Sequence, residues 1–197
     1  QARNRDGTIV ETPRQLFWRV ATDIAQAERR YPPPSRLPHA AQRWYESMAR
    51  LDFLPNSPTL MNAGRRLQQL SACFVLPVED SLTSIYDTLK YQALIHQSGG
   101  GTGFSFSRVR PHDDQVASSN GVASGPISFM RLFNLSTDVI KQGGARRGAN
   151  MGILRIDHHD ILDFIALKQT PTEMTNFNLS VGVTDSFMQA LKRRRTY

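Results

Sequence analysis

The sequence predicts an α/β fold in which a helical layer precedes a parallel sheet. Segments of strand-like composition alternate with amphipathic segments of helical length. The strand-like segments are residues 71–76, 103–109, 150–156 and 176–184, and the helical ones between them are 81–97, 126–141 and 160–167. Helices that separate successive strands are typical of parallel pairing with crossover connections. We find no internal repeat and no low-complexity segment.

Two amphipathic helices are expected before the sheet. Thr12-Pro13-Arg14-Gln15 has the pattern of a capping box with proline at the first helical position, and it predicts a helix over residues 13–30. The prolines at 32–34 end that helix, because proline lacks an amide hydrogen. Trp44, Tyr45, Met48 and Leu51 mark a second helix. We therefore divide the chain into a helical region, 1–52, and an α/β region, 53–197.

Turn and cap residues predict the remaining boundaries. Residues 54–64, LPNSPTLMNAG, contain two prolines and two asparagines and predict a turn-rich loop. The polar stretch 111–125 also predicts a loop. The later helices are expected to begin at caps or first-turn residues Ser81, Pro126, Asp160 and Asp185.

Composition limits the class of protein. The chain has 197 residues, 40% of them hydrophobic, which is enough to bury a core. The single cysteine excludes an internal disulfide framework and a thiolate metal cage. The absence of a long apolar run predicts a cytoplasmic protein without membrane association. The net charge of +7 favours polyanionic partners, either nucleic acid or nucleotide phosphates. The lack of an initiating methionine and of a closing element suggests a fragment at both ends.

Two glycine-rich motifs each allow two interpretations. The motif at 97–103, QSGGGTG, follows a helix and precedes a strand, which is the reverse of the order in a dinucleotide or P-loop site. It predicts either a tight turn or a place where a ligand approaches the backbone closely. The motif at 141–148, KQGGARRG, predicts helix termination, or arginines that bind phosphate oxygens.

Three further features have ordinary structural explanations. Cys73 opens an apolar strand, where a cysteine is most often an inert core residue. His158-His159-Asp160 predicts a helix start capped by Asp160, because adjacent histidines point to different faces, and we assign no metal. The basic run 192–195 is typical of a solvated helix end.

The order of the motifs is more informative than any one of them. It runs SPTLMNAG, LSACFVLPVEDS, QSGGGTGFSFSRVRP, ASGPISFM, QGGARRGANMGILRIDH and NFNLSV. This series, from Thr12 to Leu191, resembles the large chain of class II ribonucleotide reductases, which depend on adenosylcobalamin. The sequence departs from that pattern at His159, where a proline is usual, and in the run 193–195.

The resemblance implies a ten-stranded α/β barrel made of two five-stranded halves, of which this chain would supply the first half incompletely. It also implies ribonucleotide reduction by radical chemistry, started from adenosylcobalamin and completed by a pair of redox cysteines. Cys73 matches the first cysteine of that pair, which forms a disulfide during turnover and is restored by an external thiol reductant such as thioredoxin. The thiyl cysteine loop and the second cysteine of the pair are absent, so the isolated chain is expected to be inactive.

The resemblance further implies two nucleotide sites. The substrate would contact Ser57, Thr59, Ala72, Gly143, Gly144 and Arg147. A deoxynucleotide effector would contact Asp80, Ser81, Arg108 and Arg110, with one of the two arginines rather than both at its phosphates. Without the resemblance, Pro55 and Pro58 explain the first loop as turns, and Asp80 is merely beside a helix cap. Residues 168–175 would relay effector identity to the substrate base.

The implied partners are a ribonucleotide, the effector and a second copy of the chain, which would pair through helices 81–97 and 126–141. We expect a ribonucleoside-diphosphate reductase, although the residues do not distinguish diphosphate from triphosphate substrates. One alternative is a catalytically silent nucleotide-binding regulatory module. A second is a nucleic-acid-binding domain, which lacks an aromatic stacking platform here, so no direct nucleic-acid contact is expected.

Overall fold

A computed structural model describes residues 6–31, 36–116, 121–140, 148–170 and 172–197. The chain divides into two compact units, residues 1–72 and 73–197, which we call the helical unit and the sheet unit. The expected boundary after residue 52 falls inside the helical unit. Residues 53–72 belong to that unit because a short helix within them packs against the first helix of the chain.

In its described residues the helical unit contains three α-helices. These are α1 (Pro13–Ala25), which a 3₁₀ turn (Gln26–Arg30) extends, α2 (Arg36–Ala49) and α3 (Ser57–Asn62). The predicted capping box is confirmed, since Thr12 and Gln15 exchange both of its hydrogen bonds. The core consists of Leu16, Val20, Ala21, Met48 and Ala63. Beside it the buried carboxylate of Glu11 pairs with Arg19 and Arg65, so that the charge of Glu11 is compensated.

The loop predicted over residues 54–64 is wrong in its middle, where α3 forms. Asn56 caps this helix, because its side chain accepts a hydrogen bond from the Thr59 amide at 2.9 Å. Pro58 occupies the first turn, where a missing amide hydrogen costs nothing. The residues that suggested turns therefore serve as the start of a helix.

The sheet unit confirms the α/β prediction. In chain order it contains β1 (Cys73–Leu76), α4 (Leu82–Gln97), β2 (Gly101–Ser105), β3 (Gln115–Val116), β4 (Gly121–Val122), α5 (Gly125–Ile140), β5 (Asn150–Arg155), α6 (Ile161–Ala166), a 3₁₀ turn (Leu167–Gln169), β6 (Phe177–Gly182) and α7 (Asp185–Lys192). Strands β1, β2, β5 and β6 form a parallel sheet in that order. The other two strands form a small antiparallel hairpin.

Four local predictions in the sheet unit need correction. The strand expected at 103–109 ends at Ser105, so Arg108 lies in the turn that follows and Arg110 lies beyond that turn. The loop expected at 111–125 contains the β3–β4 hairpin. Thr184, rather than Asp185, caps α7. Asp160 precedes α6 but makes no side-chain cap, because its carboxylate is hydrogen-bonded elsewhere.

One face of the sheet is covered and the other is open. On the covered face Phe104, Phe106, Phe133 and Phe177 form a buried aromatic group, and the rings of Phe104 and Phe133 meet edge to face with centroids 4.9 Å apart. Successive side chains of a strand point to opposite faces of the sheet. The strand residues that alternate with buried ones such as Phe104 and Phe177 therefore lie on the open face. Within the described ranges, no helix is long and apolar enough to span a bilayer.

Candidate active site and nucleotide cleft

The open face of the sheet carries the single cysteine. Cys73 is the first residue of β1, and its thiol is free and exposed. The interpretation of Cys73 as an inert core residue is therefore wrong. Burial alternates along β1, with Phe74 and Leu76 half-buried and Cys73 and Val75 exposed, so the thiol is accessible to a reactant on this face.

Two glycines of β2, Gly101 and Gly103, form a strip without side chains beside the thiol, which we call the glycine strip. In the parallel register Cys73 is opposite Gly101, and Val75 is opposite Gly103, which in turn is opposite Met151. A Cβ at Gly103 would meet the Met151 side chain at 3.7 Å and the Phe74 carbonyl oxygen at 4.0 Å, so this position has room that glycine leaves empty. The two glycines let a ligand approach the β2 backbone beside Cys73.

The first glycine motif forms the predicted turn at Gly99, whereas a close approach of a ligand at Gly101 and Gly103 stays a prediction. Gly99, with a φ of 88°, ends α4, whereas Gly101 and Gly103 belong to β2. Composition alone did not separate them, because the division depends on where the strand begins.

A buried polar cluster, which the motifs of the sequence did not indicate, lies on the covered side of the sheet. It consists of Gln92, His96, Thr102, Thr137 and Asn150. Asn150 is at its centre, since its side chain accepts from Gln92 Nε2 at 2.9 Å and from Thr102 Oγ1 at 2.8 Å. His96 Nε2 is 2.9 Å from Thr102 Oγ1. The sequence feature that could have indicated this cluster is the four-residue spacing of Gln92 and His96, which places both side chains on one face of α4.

His96 also borders the end of the second glycine motif. A Cβ at Gly148 would lie 2.7 Å from His96 Nδ1, so only glycine fits against the ring. Gly148 leads directly into Asn150 and β5. The polar cluster therefore fixes the chain where it leaves that motif.

Burial lowers the pKa of His96, and the Ala149 backbone opposes the shift. Between the lowered folded-state pKa and the unfolded value near 6.5, the unfolded chain binds more protons. The contribution of His96 to stability is therefore complete above about pH 6.5 and decreases as the pH falls. We expect the urea midpoint of the wild-type chain to fall between about pH 7 and pH 5 more steeply than that of His96→Gln.

The matched control for that experiment is His39→Gln, since His39 is exposed on α2. This variant should show the wild-type pH dependence. An unchanged slope in His96→Gln would contradict the assignment of a neutral buried ring.

A second feature of the sheet unit is a cleft of about 470 Å³ at the start of α4, which we call the Asp80–Arg110 cleft. Its lining includes Asp80, Ser81, Ile85, Arg110, Val122 and Phe129. Asp80 accepts hydrogen bonds from Arg110 Nε at 2.8 Å and from the Arg110 amide at 3.1 Å. Ser81 caps α4 by accepting from the Ser84 amide at 3.2 Å, as predicted.

The two arginines beside this cleft differ in position. Arg110 lines the cleft and also contacts the carbonyl oxygen of Gln115 in the hairpin. Arg108 pairs with Glu79, and its side chain is 73% exposed. Three of the four residues expected at an effector site thus meet in one cleft, and Arg108 lies outside its lining.

The residues expected to bind substrate differ from one another in exposure and in their contacts. Ser57 is exposed at the start of α3, whereas the Thr59 hydroxyl is buried and donates to the Leu70 carbonyl oxygen at 2.9 Å. Ala72 immediately precedes Cys73 and is half-buried. Gly143, Gly144 and Arg147 lie outside the described residues. In the described part of the 168–175 segment, Lys168 Nζ donates to the Met174 carbonyl oxygen at 2.7 Å.

The two units correspond to two known domain families. Residues 71–197 match the family model described as "Ribonucleotide reductase, barrel domain", and residues 1–68 match "Ribonucleotide reductase, all-alpha domain". The chain belongs to the ribonucleotide reductase large-chain family. The family expected from the order of the motifs is thereby confirmed.

Curated relatives refine this assignment. The chain is 47% identical to a vitamin B12-dependent ribonucleoside-diphosphate reductase of Thermoplasma acidophilum, over 96% of the chain and 32% of the relative. It is 48% identical to the protein of that name in Mycobacterium tuberculosis strain CDC 1551, over 96% of the chain and 28% of the relative. The ribonucleoside-diphosphate reductase large chain of Schizosaccharomyces pombe is 32% identical, over 98% of the chain and 23% of the relative. The chain spans about a third or less of the length of these relatives.

Proposed function

We propose that this chain forms part of a vitamin B12-dependent ribonucleotide reductase, which converts ribonucleoside diphosphates to deoxyribonucleotides for DNA synthesis. The observation that carries the proposal is the exposed Cys73 thiol beside the glycine strip of β2, in a chain of this family. The ribonucleotide would lie over Gly101 and Gly103 with its ribose near the thiol. Ser57, Thr59, Ala72 and the second glycine motif are proposed as further substrate contacts.

Cys73 would act as one of two reducing thiols. Reduction of the ribose removes the 2′-hydroxyl as water and puts a hydrogen on that carbon, which requires two electrons and two protons. Cys73 and a second cysteine each supply one electron and one proton, and the two sulfurs form a disulfide. The second cysteine must come from outside this chain, because Cys73 is its single cysteine. An external dithiol such as thioredoxin would then reduce the disulfide by exchange.

Adenosylcobalamin would supply the radical that starts the reaction in the complete protein. We assign none of the described residues to this cofactor, and we describe the role of this chain as substrate binding and thiol chemistry.

The Asp80–Arg110 cleft is proposed as the site of a deoxynucleotide effector. A guanidinium at the rim suits phosphate oxygens, and a carboxylate suits the hydroxyl of a deoxyribose. Because Asp80 and Arg110 are already paired, an effector would bind to a neutralised and preorganised pair. Of the two arginines, Arg108 is proposed as the one that does not contact the phosphates, since it pairs with Glu79 outside the cleft lining.

A homodimer is proposed from exposed apolar residues on two helices. Leu82, Tyr86 and Leu94 of α4, with Leu135 and Val139 of α5, are all at least half exposed. α4 and α5 pack against each other, so these residues belong to adjacent helices. Burying such a surface against a second copy would remove it from water. We further propose that the protein acts in the cytoplasm.

A catalytically silent nucleotide-binding module is the second candidate. The observation that favours it is that Asp80, Ser81 and Arg110 all lie within this chain, whereas reduction needs a second cysteine from elsewhere. Such a module would bind the effector and produce no deoxynucleotide.

The test is a reduction assay on the complete protein and on the chain alone. With adenosylcobalamin, a dithiol reductant and CDP or ADP, the complete protein should form the deoxynucleotide, and the chain alone should form none. Product that requires the cofactor supports the reductase. No product from the complete protein, together with dATP or dTTP binding by the chain, would establish the silent module instead.

A further inference from the structure

The His158-His159-Asp160 motif has no role in the chemistry proposed above, yet two of its residues contact the segment that carries Arg110. His158 Nε2 is 2.8 Å from the Val109 carbonyl oxygen, and the Asp160 amide is 3.1 Å from His158 Nδ1. A carbonyl oxygen can only accept and an amide can only donate. His158 is therefore held as the neutral tautomer with its hydrogen on Nε2, and it bridges Val109 to Asp160.

Asp160 makes the second contact with this segment. Its carboxylate is buried, with the residue 8% exposed, and accepts from the His112 amide at 2.9 Å through Oδ2 and at 3.3 Å through Oδ1. Burying a carboxylate is costly unless hydrogen bonds compensate its charge, so this contact is a strong constraint on the His112 backbone.

Gly125 closes the same site from the other side. It has a φ of 72°, and a Cβ there would lie 2.8 Å from both Asp160 Oδ2 and the His112 nitrogen. The two ends of the segment 112–125, which contains the β3–β4 hairpin, therefore meet at Asp160. Val116 and Val122 of this hairpin line the Asp80–Arg110 cleft.

Arg110 lies between the two anchored positions. His158 holds the carbonyl oxygen of Val109, and Asp160 holds the amide of His112. Asp80 accepts from the Arg110 amide itself, so three side chains fix the backbone over four residues. The guanidinium is thereby directed along the cleft before any ligand arrives.

We propose that His158 and Asp160 are positioning residues for anion recognition by Arg110. The proposal rests on the proposed function of the Asp80–Arg110 cleft as an effector site. Neither residue lines that cleft, so they act through the backbone of residues 109–112. Losing either anchor lets this segment move and lowers the fraction of molecules in which Arg110 is in the binding position.

The experiment measures the dissociation constants of dATP and dTTP with the full 197-residue chain and its variants by calorimetry. We expect His158→Phe and Asp160→Ala each to weaken binding about tenfold, the equivalent of one buried hydrogen bond. Asp160→Asn keeps an oxygen for the His112 amide and should bind within about threefold of wild type. His158→Gln keeps a donor for the Val109 carbonyl oxygen but has no acceptor at the place of Nδ1 for the Asp160 amide, and should be intermediate.

The neighbouring residues provide matched controls. His159 and Asp163 are exposed, so His159→Phe and Asp163→Ala should leave both dissociation constants unchanged. Wild-type affinity in His158→Phe and Asp160→Ala would overturn the positioning role while leaving the effector site intact. Equal losses in Asp160→Asn and Asp160→Ala would also overturn it, because the hydrogen bond to His112 would then be irrelevant. If the wild-type chain binds neither nucleotide, the proposed effector site itself is wrong.

Discussion

Replacing Cys73 by serine in the complete protein is expected to lower the steady-state rate of deoxynucleotide formation by at least about a thousandfold, as removal of an essential reacting group does. Serine is close to cysteine in size, but its oxygen cannot share in a disulfide. The two electrons needed to reduce the ribose then have no source in the site. The measurement is the rate of dCDP formation from CDP with adenosylcobalamin and a dithiol.

Binding measurements show whether that loss is chemical. Cys73 lies on the open face of the sheet, and the Asp80–Arg110 cleft is lined by other residues. Cys73→Ser should therefore bind dATP and dTTP as wild type does and keep the wild-type far-ultraviolet circular dichroism. Sustained turnover by Cys73→Ser would rule out the reducing role of this thiol.

Replacing Arg110 by alanine is expected to weaken dATP and dTTP binding about a hundredfold, which is the upper range for a charged hydrogen-bonding group. Two effects combine in this variant. The phosphate loses its guanidinium, and the Asp80 carboxylate, 2.8 Å from Arg110 Nε, is left without its cation near an anionic ligand. Titration calorimetry at several salt concentrations measures the loss and its electrostatic part.

Arg108→Ala is the matched control for Arg110→Ala. Arg108 is two residues away, carries the same charge and pairs with Glu79, but it does not line the cleft. We expect a loss of about threefold or less, the effect of an exposed pair. Equal losses in the two variants would indicate that net charge, rather than the geometry at Asp80, governs binding.

Local sequence signals predicted the elements well where neighbouring residues determine them. The capping box at Thr12 and the cap at Ser81 involve residues three positions apart, so the sequence contains both partners of each bond. The same reasoning failed for residues 54–64, because Asn56 and Pro58 suit a helix start as well as a turn. It also assigned Asp160 to a helix cap, whereas its carboxylate binds an amide 48 residues away.

The candidate sites are formed by contacts between residues distant along the chain, and composition does not predict such contacts. Cys73 in an apolar strand suggested a core residue, and its exposure follows only from which face of the sheet the helices cover. The pairing of Asp80 with Arg110 joins positions 30 residues apart. The family resemblance had placed these two in one site, and it carried that information from outside the residues themselves.

By itself the sequence determined the family, the alternation of strands and helices and most helix starts, because these depend on motif order and on residues within one turn of each other. The tertiary structure decided the exposure of Cys73, the separation of Arg108 from Arg110 at the cleft, and the partners of His158 and Asp160. These depend on how strands and turns distant along the chain are brought together. Packing selects one of several arrangements that local preferences allow equally.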